Sequence, residues 1–181
     1  MEDTYFSDDS HLDREAIRAG VTDYLREMGF ENYTVVREEA GVLPLPYANT
    51  FTPVKSGPLV AGYQGGWFHP VTGYSFPLAV RLAIFIAGRS VDSLFSREIQ
   101  RMARRHQMQL RFSYFLNYML YRWFAPRERW NVLERFYRLP EATIRRFYAL
   151  NLTVRDCLRI IVGRPPRGIS WYAVLTGRKA T

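Results

Sequence analysis

The sequence has one cysteine, Cys157, and three histidines in 181 residues. A lone thiol excludes an internal disulfide framework and any cysteine-rich zinc site. His11, His69 and His106 lie too far apart for any two to share metal-ligand spacing. Lysine is nearly missing, occurring only at Lys55 and Lys179. Apolar runs such as Ala83 to Ala87 are far below the about 20 residues that cross a bilayer. No charged-then-apolar segment opens the chain, so no secretory signal is expected. Internal repeats and low-complexity tracts are absent, and so is the G-x-G-x-x-G dinucleotide fingerprint.

What is present is an uneven charge. Apolar residues make up 48% and charged residues 23%, which excludes wholesale disorder. Residues 1–50 carry 11 acids against 4 Lys/Arg, net −7, and residues 51–181 carry 6 acids against 21 bases, net +15. The basic part is almost all arginine. Such a segment points to nucleic acid, an anionic membrane surface or a phosphate-bearing cofactor. Aromatics at 15% suit stacking on bases and also a membrane interface.

The pattern along the chain predicts an α/β front and a helical rear. Met1 to Phe6 reads as a strand, with Glu2, Thr4 and Phe6 on one face and Asp3 and Tyr5 on the other. Asp13 is a candidate N-cap, with Leu12 and Ile17 at the hydrophobic-staple positions. Ile17, Val21, Tyr24, Leu25 and Met28 recur at helical spacing, and Gly29 closes the helix. Tyr33 to Glu38 reads as a second strand, and Gly41 to Pro58 as a loop punctuated by prolines. Leu59 to Gly62 reads as a buried strand. It leads through a glycine-rich turn into a helix over Phe76 to Ala87, with Pro77 in its first turn and Gly88 at its end. A long helix from Ser90 or Ser93 reaches Phe124. Pro126 opens another to about Leu139, Pro140 a third, and Thr153 caps a fourth ending at Gly163. Pro165-Pro166 is expected to end helical structure. These elements group as a segment over 1–57, a strand–loop–helix unit over 58–89 and a helical region over 90–181.

Each chemically suggestive feature has a plainer reading beside it. The glycine-rich loop before a helix is a place where backbone N–H groups and the helix dipole favour phosphate, or simply a tight turn. Glu2 or Asp3 is a general acid if held in an apolar pocket, or a solvated carboxylate. His69 is a proton donor, or a packed and satisfied ring. Trp67, Phe68, Tyr74 and Phe76 stabilise a cation with their faces, or pack in the core. The run Phe112 to Phe124 is too apolar for an exposed face, so burial is expected, with a membrane or partner as the alternative.

Three stretches then resemble the lycopene β-cyclase family, flavin-dependent enzymes of carotenoid synthesis. Met1-Glu2-Asp3-Thr4-Tyr5-Phe6-Ser7 is similar to the family's hydrophobic-Glu-Asp-Thr acid motif. Trp67-Phe68-His69-Pro70-Val71-Thr72-Gly73-Tyr74-Ser75-Phe76-Pro77 and the following Leu78 to Ala83 resemble its second flavin-associated segment. Arg135 to Pro140, Arg146-Phe147-Tyr148 and Gly163 to Pro166 resemble its C-terminal helical region. Members are about twice this long and begin with a Rossmann unit carrying the nucleotide fingerprint, so the chain resembles a C-terminal half.

The resemblance implies an incomplete Rossmann-like flavoprotein of α/β class, with substrate-side strands and a helical rear. It implies acid-catalysed cyclisation of lycopene end groups to β-rings, giving β-carotene through γ-carotene without net redox change. Glu2 would be the acid, with Asp3 supporting it. Gly65, Gly66, Phe68, His69, Pro70, Thr72, Gly73 and Tyr74 would face flavin adenine dinucleotide, reduced by NADPH, and no metal is implied. A bilayer-dwelling hydrocarbon substrate implies a cytoplasmic protein at the membrane periphery. No nucleic acid is expected as a partner. Two rival readings are an inactive cyclase remnant serving as an interaction protein, and a basic helical nucleic-acid module, which lacks a recognition signature.

Overall fold

A computed structural model of the protein describes residues 1–47, 60–90 and 97–180. The chain divides into two units, Met1–Leu43 and Pro44–Thr181.

The first unit is built around α1 (Arg14–Glu27). Asp13 caps it as its spacing predicts, its carboxylate accepting from the Ala16 N–H at 3.0 Å. At the other end Gly29 takes φ +82°, and the N–H groups of Gly29 and Phe30 bond back to Arg26 and Leu25. That pair of bonds is a Schellman closure, which needs a left-handed residue at the glycine position. Arg18 donates to both carboxylate oxygens of Glu38 at 2.9 Å, drawing the following segment along the helix. No residue of 1–43 is buried.

The second unit is helical. Among the described residues it comprises α2 (Phe76–Ala87), α3 (Arg97–Trp123), α4 (Trp130–Tyr137), α5 (Glu141–Tyr148), α6 (Val154–Ile161) and α7 (Trp171–Thr176), with a 3₁₀ turn at Pro126–Glu128. The long α3 is its spine. It buries Ile99, His106, Leu110, Ser113, Tyr114, Asn117 and Leu120, a set at helical spacing that defines one face. Leu110 and Tyr114 join Leu78 of α2 and Leu150 in one cluster. Phe147, Leu152 and Ile160 form a second, with Phe112, Leu116 and Phe136 against it. The chain end returns to α3, where Ser170 and Ala180 donate backbone N–H groups to the carbonyls of Trp123 and Arg122, both at 2.8 Å.

A polar clip joins α5 to α6. Thr153 and Asp156 form a reciprocal capping box at the start of α6. Asp156 also receives Arg146 through two bonds of 2.7 Å and Thr143 at 2.8 Å. Arg146, first among these donors, holds the Asp156 carboxyl far below the usual carboxylate range, against the opposing effect of burial. At the far end of α6, Arg135 of α4 donates to the carbonyls of Ile160 and Val162.

The α/β class is not what the chain adopts. Among the described residues there is no strand, only an isolated antiparallel bridge between Phe124 and Ile169. Met1–Phe6 and Tyr33–Glu38 have strand-like composition but pair with nothing within these residues. Val35 and Val36 are 64% and 94% exposed, so both faces of the second segment meet solvent. Strand propensity reports fitness for a paired, half-buried surface, and without a neighbour to supply the ladder it builds nothing. Of the third expected strand, Leu59 lies outside the described residues, and Val60 to Gly62 run into a turn. The helix ends fared differently. α2 occupies the expected residues, and Pro140 and Thr153 stand at the starts of α5 and α6. The segment after Pro126 is divided into the 3₁₀ turn and α4. Helical structure does not end at Pro165-Pro166, because α7 forms beyond them with Ser170 as its cap.

Candidate functional site

The glycine-rich segment folds as a compact double turn on the face of α3. Gly66 N–H bonds to the Tyr63 carbonyl at 3.0 Å and Trp67 N–H to the Gly62 carbonyl at 2.8 Å. At Gly65 the backbone passes so close that a Cβ would lie 1.8 Å from the Val60 carbonyl oxygen. Gly66 and Gly73 take φ of +72° and +68°. Between them Trp67, Phe68, His69 and Pro70 are buried. The second turn closes on His69, whose carbonyl accepts from Gly73 at 2.8 Å and Thr72 at 3.2 Å, while its N–H donates to Tyr74. Tyr63 stacks on Phe68 at 4.7 Å and donates its hydroxyl to the Gly73 carbonyl.

Both ring nitrogens of His69 are engaged. Nδ1 accepts from the Val71 N–H at 3.2 Å, so Nε2 carries the proton and donates it to the Phe147 carbonyl at 2.9 Å. Burial pushes its pKa down to about 4, outweighing that backbone bond, so the ring is neutral near pH 7. Two further side chains fasten the loop to α3, and a third ties α2 to the end of α5. His106 stacks on Trp67 at 4.4 Å and bonds to the Gly66 carbonyl at 2.8 Å, and burial lowers its pKa as well. Asn117 donates to the carbonyls of Pro70 at 2.9 Å and Pro46 at 2.7 Å. Arg81 of α2 reaches the Ala149 carbonyl at 2.6 Å. His106, Asn117 and Arg81 were not singled out from the sequence. The trace of His106 and Asn117 there is their step with Leu110 and Tyr114 on an apolar helix face.

The eight loop residues named above therefore share one structure, but differ in access. Phe68, His69 and Pro70 are spent on packing and internal bonds. Thr72 and Gly73 are half-buried and Tyr74 is exposed, forming a rim at the start of α2. Ser75, the N-cap, makes no side-chain cap bond there. This rim, with helix N–H groups behind it, suits one edge of a large electron-rich or anionic group. Glu2 and Asp3 belong to the first unit and are exposed, and Glu2 accepts from the Thr4 hydroxyl at 3.0 Å. Among the described residues no cluster of His, Cys, Asp and Glu suits a metal ion, and no helix is long and apolar enough to cross a membrane.

A loop of this sequence, braced on a helical region in this order, defines a class. Residues 1–173 match the lycopene cyclase protein family, and the chain belongs to it. It is 41% identical over 174 residues to the lycopene beta-cyclase of Paracoccus sp. (strain N81106 / MBIC 01143), covering 92% of this chain and 45% of that protein. It is 41% identical over 170 residues to the lycopene beta-cyclase of Pantoea ananas, covering 92% and 44%. With that of Pseudescherichia vulneris it shares 39% over 182 residues, covering 97% and 47%. The chain thus spans about half the length of these relatives. No solved structure matches it.

Proposed function

We propose that the chain is the acid-bearing and loop-bearing part of a lycopene cyclase that closes the end groups of lycopene into β-rings. The observation that carries this reading is the continuous family match over residues 1–173. In the reaction a carboxylic acid adds its proton to the terminal double bond, leaving a carbocation. The neighbouring double bond attacks it to close the six-membered ring, and a proton leaves to form the ring double bond. Glu2 is the donor in this scheme, and Asp3 supports it from the next position. Thr72, Gly73 and Tyr74, at the α2 N-terminus, would hold the flavin, with Gly65 and Gly66 shaping the backbone beneath. Phe68, His69 and Pro70 hold that rim in place from the buried side. Bound there, reduced flavin, with NADPH as reductant, would supply negative charge to steady the cation. The working position is the membrane periphery, where a hydrocarbon substrate is dissolved.

The test joins this chain to the N-terminal remainder of the Paracoccus relative in a lycopene-producing host and measures β-carotene. The expected result is β-carotene from the chimaera and none from its Glu2→Gln form, which keeps the shape but has no proton to give. The loss should be at least about 10²–10⁴-fold. Near-normal β-carotene from Glu2→Gln would remove Glu2 as the acid. A chimaera that folds and leaves lycopene untouched would overturn the cyclase reading.

A further inference from the structure

The outer face of α6 is apolar, and among the described residues no helix lies upon it. Val154, Leu158 and Val162 are 78%, 55% and 65% exposed, and with Ile161 they stand at i, i+4, i+7 and i+8 along one face. An open hollow runs beside this row, lined by Leu139, Pro140, Arg155, Leu158, Arg159 and Val162. Arg155 and Arg159 are one turn apart, so their charges repel. Arg155 makes no ion pair among the described residues, and Arg159 reaches only the Thr143 hydroxyl at 3.5 Å. Asp156, between them in sequence, points inward and is taken by Arg146. No acid follows Asp156 in the chain, whereas Arg164 and Arg167 do. The face therefore combines an exposed aliphatic row with two arginines, Arg155 and Arg159, that meet no carboxylate among the described residues.

We propose that the α6 face, with Arg155 and Arg159 at its hollow, docks onto an anionic phospholipid bilayer. The aliphatic row enters the acyl boundary while the two guanidiniums meet lipid phosphates. Charge complementarity selects this occupant. A nucleic acid would satisfy the arginines but leave Val154, Leu158 and Val162 without an apolar partner. A neutral apolar protein surface would cover the row but strand the charges. The inference deepens the peripheral-membrane part of the proposed function and rests on it, and it assigns the contact to one element.

The experiment measures co-sedimentation of the 181-residue chain with phosphatidylcholine vesicles, with and without phosphatidylglycerol. Binding is expected only when phosphatidylglycerol is present. Arg155→Gln and Arg159→Gln should each weaken it about fivefold, from ~1 kcal/mol per basic side chain at an anionic surface. Leu158→Ser with Val162→Ser should weaken binding too and leave the salt dependence in place. All four positions are exposed or half-exposed, and unchanged far-ultraviolet circular dichroism verifies the fold. If the chain binds anionic vesicles and every variant binds equally well, the α6 assignment is overturned while membrane association stands. If the chain binds neither vesicle type, both fall. If it binds RNA through Arg155 and Arg159 but no vesicle, the face is a nucleic-acid surface and the proposal is wrong. β-Carotene formation by the chimaera is scored separately, so failure of docking and failure of cyclisation are told apart.

Discussion

His69 shows how a residue that looks chemical can be structural. Its ring carries one proton on Nε2 for Phe147 and a lone pair on Nδ1 for Val71, so a second proton would break the bond to Val71. The folded chain binds that proton with a pKa of about 4 and the unfolded chain near 6.5. The unfolded state therefore binds more protons between these values, and stability falls as pH drops through them, by about 3 kcal/mol if the shift is fully expressed. Urea unfolding should show this decline between pH 6.5 and 4, and His69→Gln should be less stable at pH 7 but flatter across that window. An equally steep profile in the variant would assign the decline elsewhere. Gly65 is constrained more simply. Gly65→Ala would drive a Cβ into the Val60 carbonyl. The expected cost is about 1–3 kcal/mol, read as a lower denaturation midpoint. A neutral Gly65→Ala would mean that the turn can open without loss.

At the scale of elements, the polar clip between α5 and α6 hangs on one carboxylate, beside the apolar contact of Phe147 and Ile160. Asp156 accepts five bonds, from Thr143, twice from Arg146, and from the Thr153 N–H and hydroxyl. Removing it orphans several donors together. Asp156→Ala should cost about 3 kcal/mol, and Asp156→Asn less, because the amide keeps one accepting oxygen. The depressed carboxyl pKa gives the same sign as His69 at lower pH, since stability present above the unfolded carboxylate range is lost as pH falls toward the folded value. An Asp156→Asn chain as stable as the parent at pH 7 would show the clip to be dispensable. α2 lies at the other extreme. Its start has Pro77 in the first turn, where the fixed φ suits a helix, but no side-chain cap at Ser75.

The two units of the whole molecule differ in what holds them. Residues 1–43 bury no side chain, while the second unit has two apolar clusters on α3. A 14-residue helix without buried contacts is marginal in water. Amide hydrogen exchange should therefore be fast throughout α1 and slow in the middle of α3. Protection of α1 equal to that of α3 would contradict this division. In the proposed cofactor role the rim at Thr72–Tyr74 would offer one edge, and no Rossmann strand is found among the described residues. The 181-residue chain by itself is expected to purify without stoichiometric flavin adenine dinucleotide, and an absorbance spectrum with one flavin per chain would refute that.

Helix ends were legible because their causes are local. Asp13, Gly29, Pro77, Pro140 and Thr153 act on backbone groups within one turn of themselves, so position alone identifies them. The sequence of the loop from Trp67 to Ser75 likewise marked the family. Strands at Met1–Phe6 and Tyr33–Glu38 were misread because a strand depends on a distant partner, and propensity is silent about whether one is there. The bracing of the loop was hidden for a related reason. That His69 is spent on Phe147, that His106 and Asn117 hold the loop carbonyls, and that Asp156 gathers Arg146 and Thr143 all follow from contacts across 10 to 78 residues. Local sequence determined where helices start and stop and to which family the chain belongs. Only tertiary structure decided which polar side chains are buried and consumed, because burial is a property of what packs against a residue and not of the residue itself.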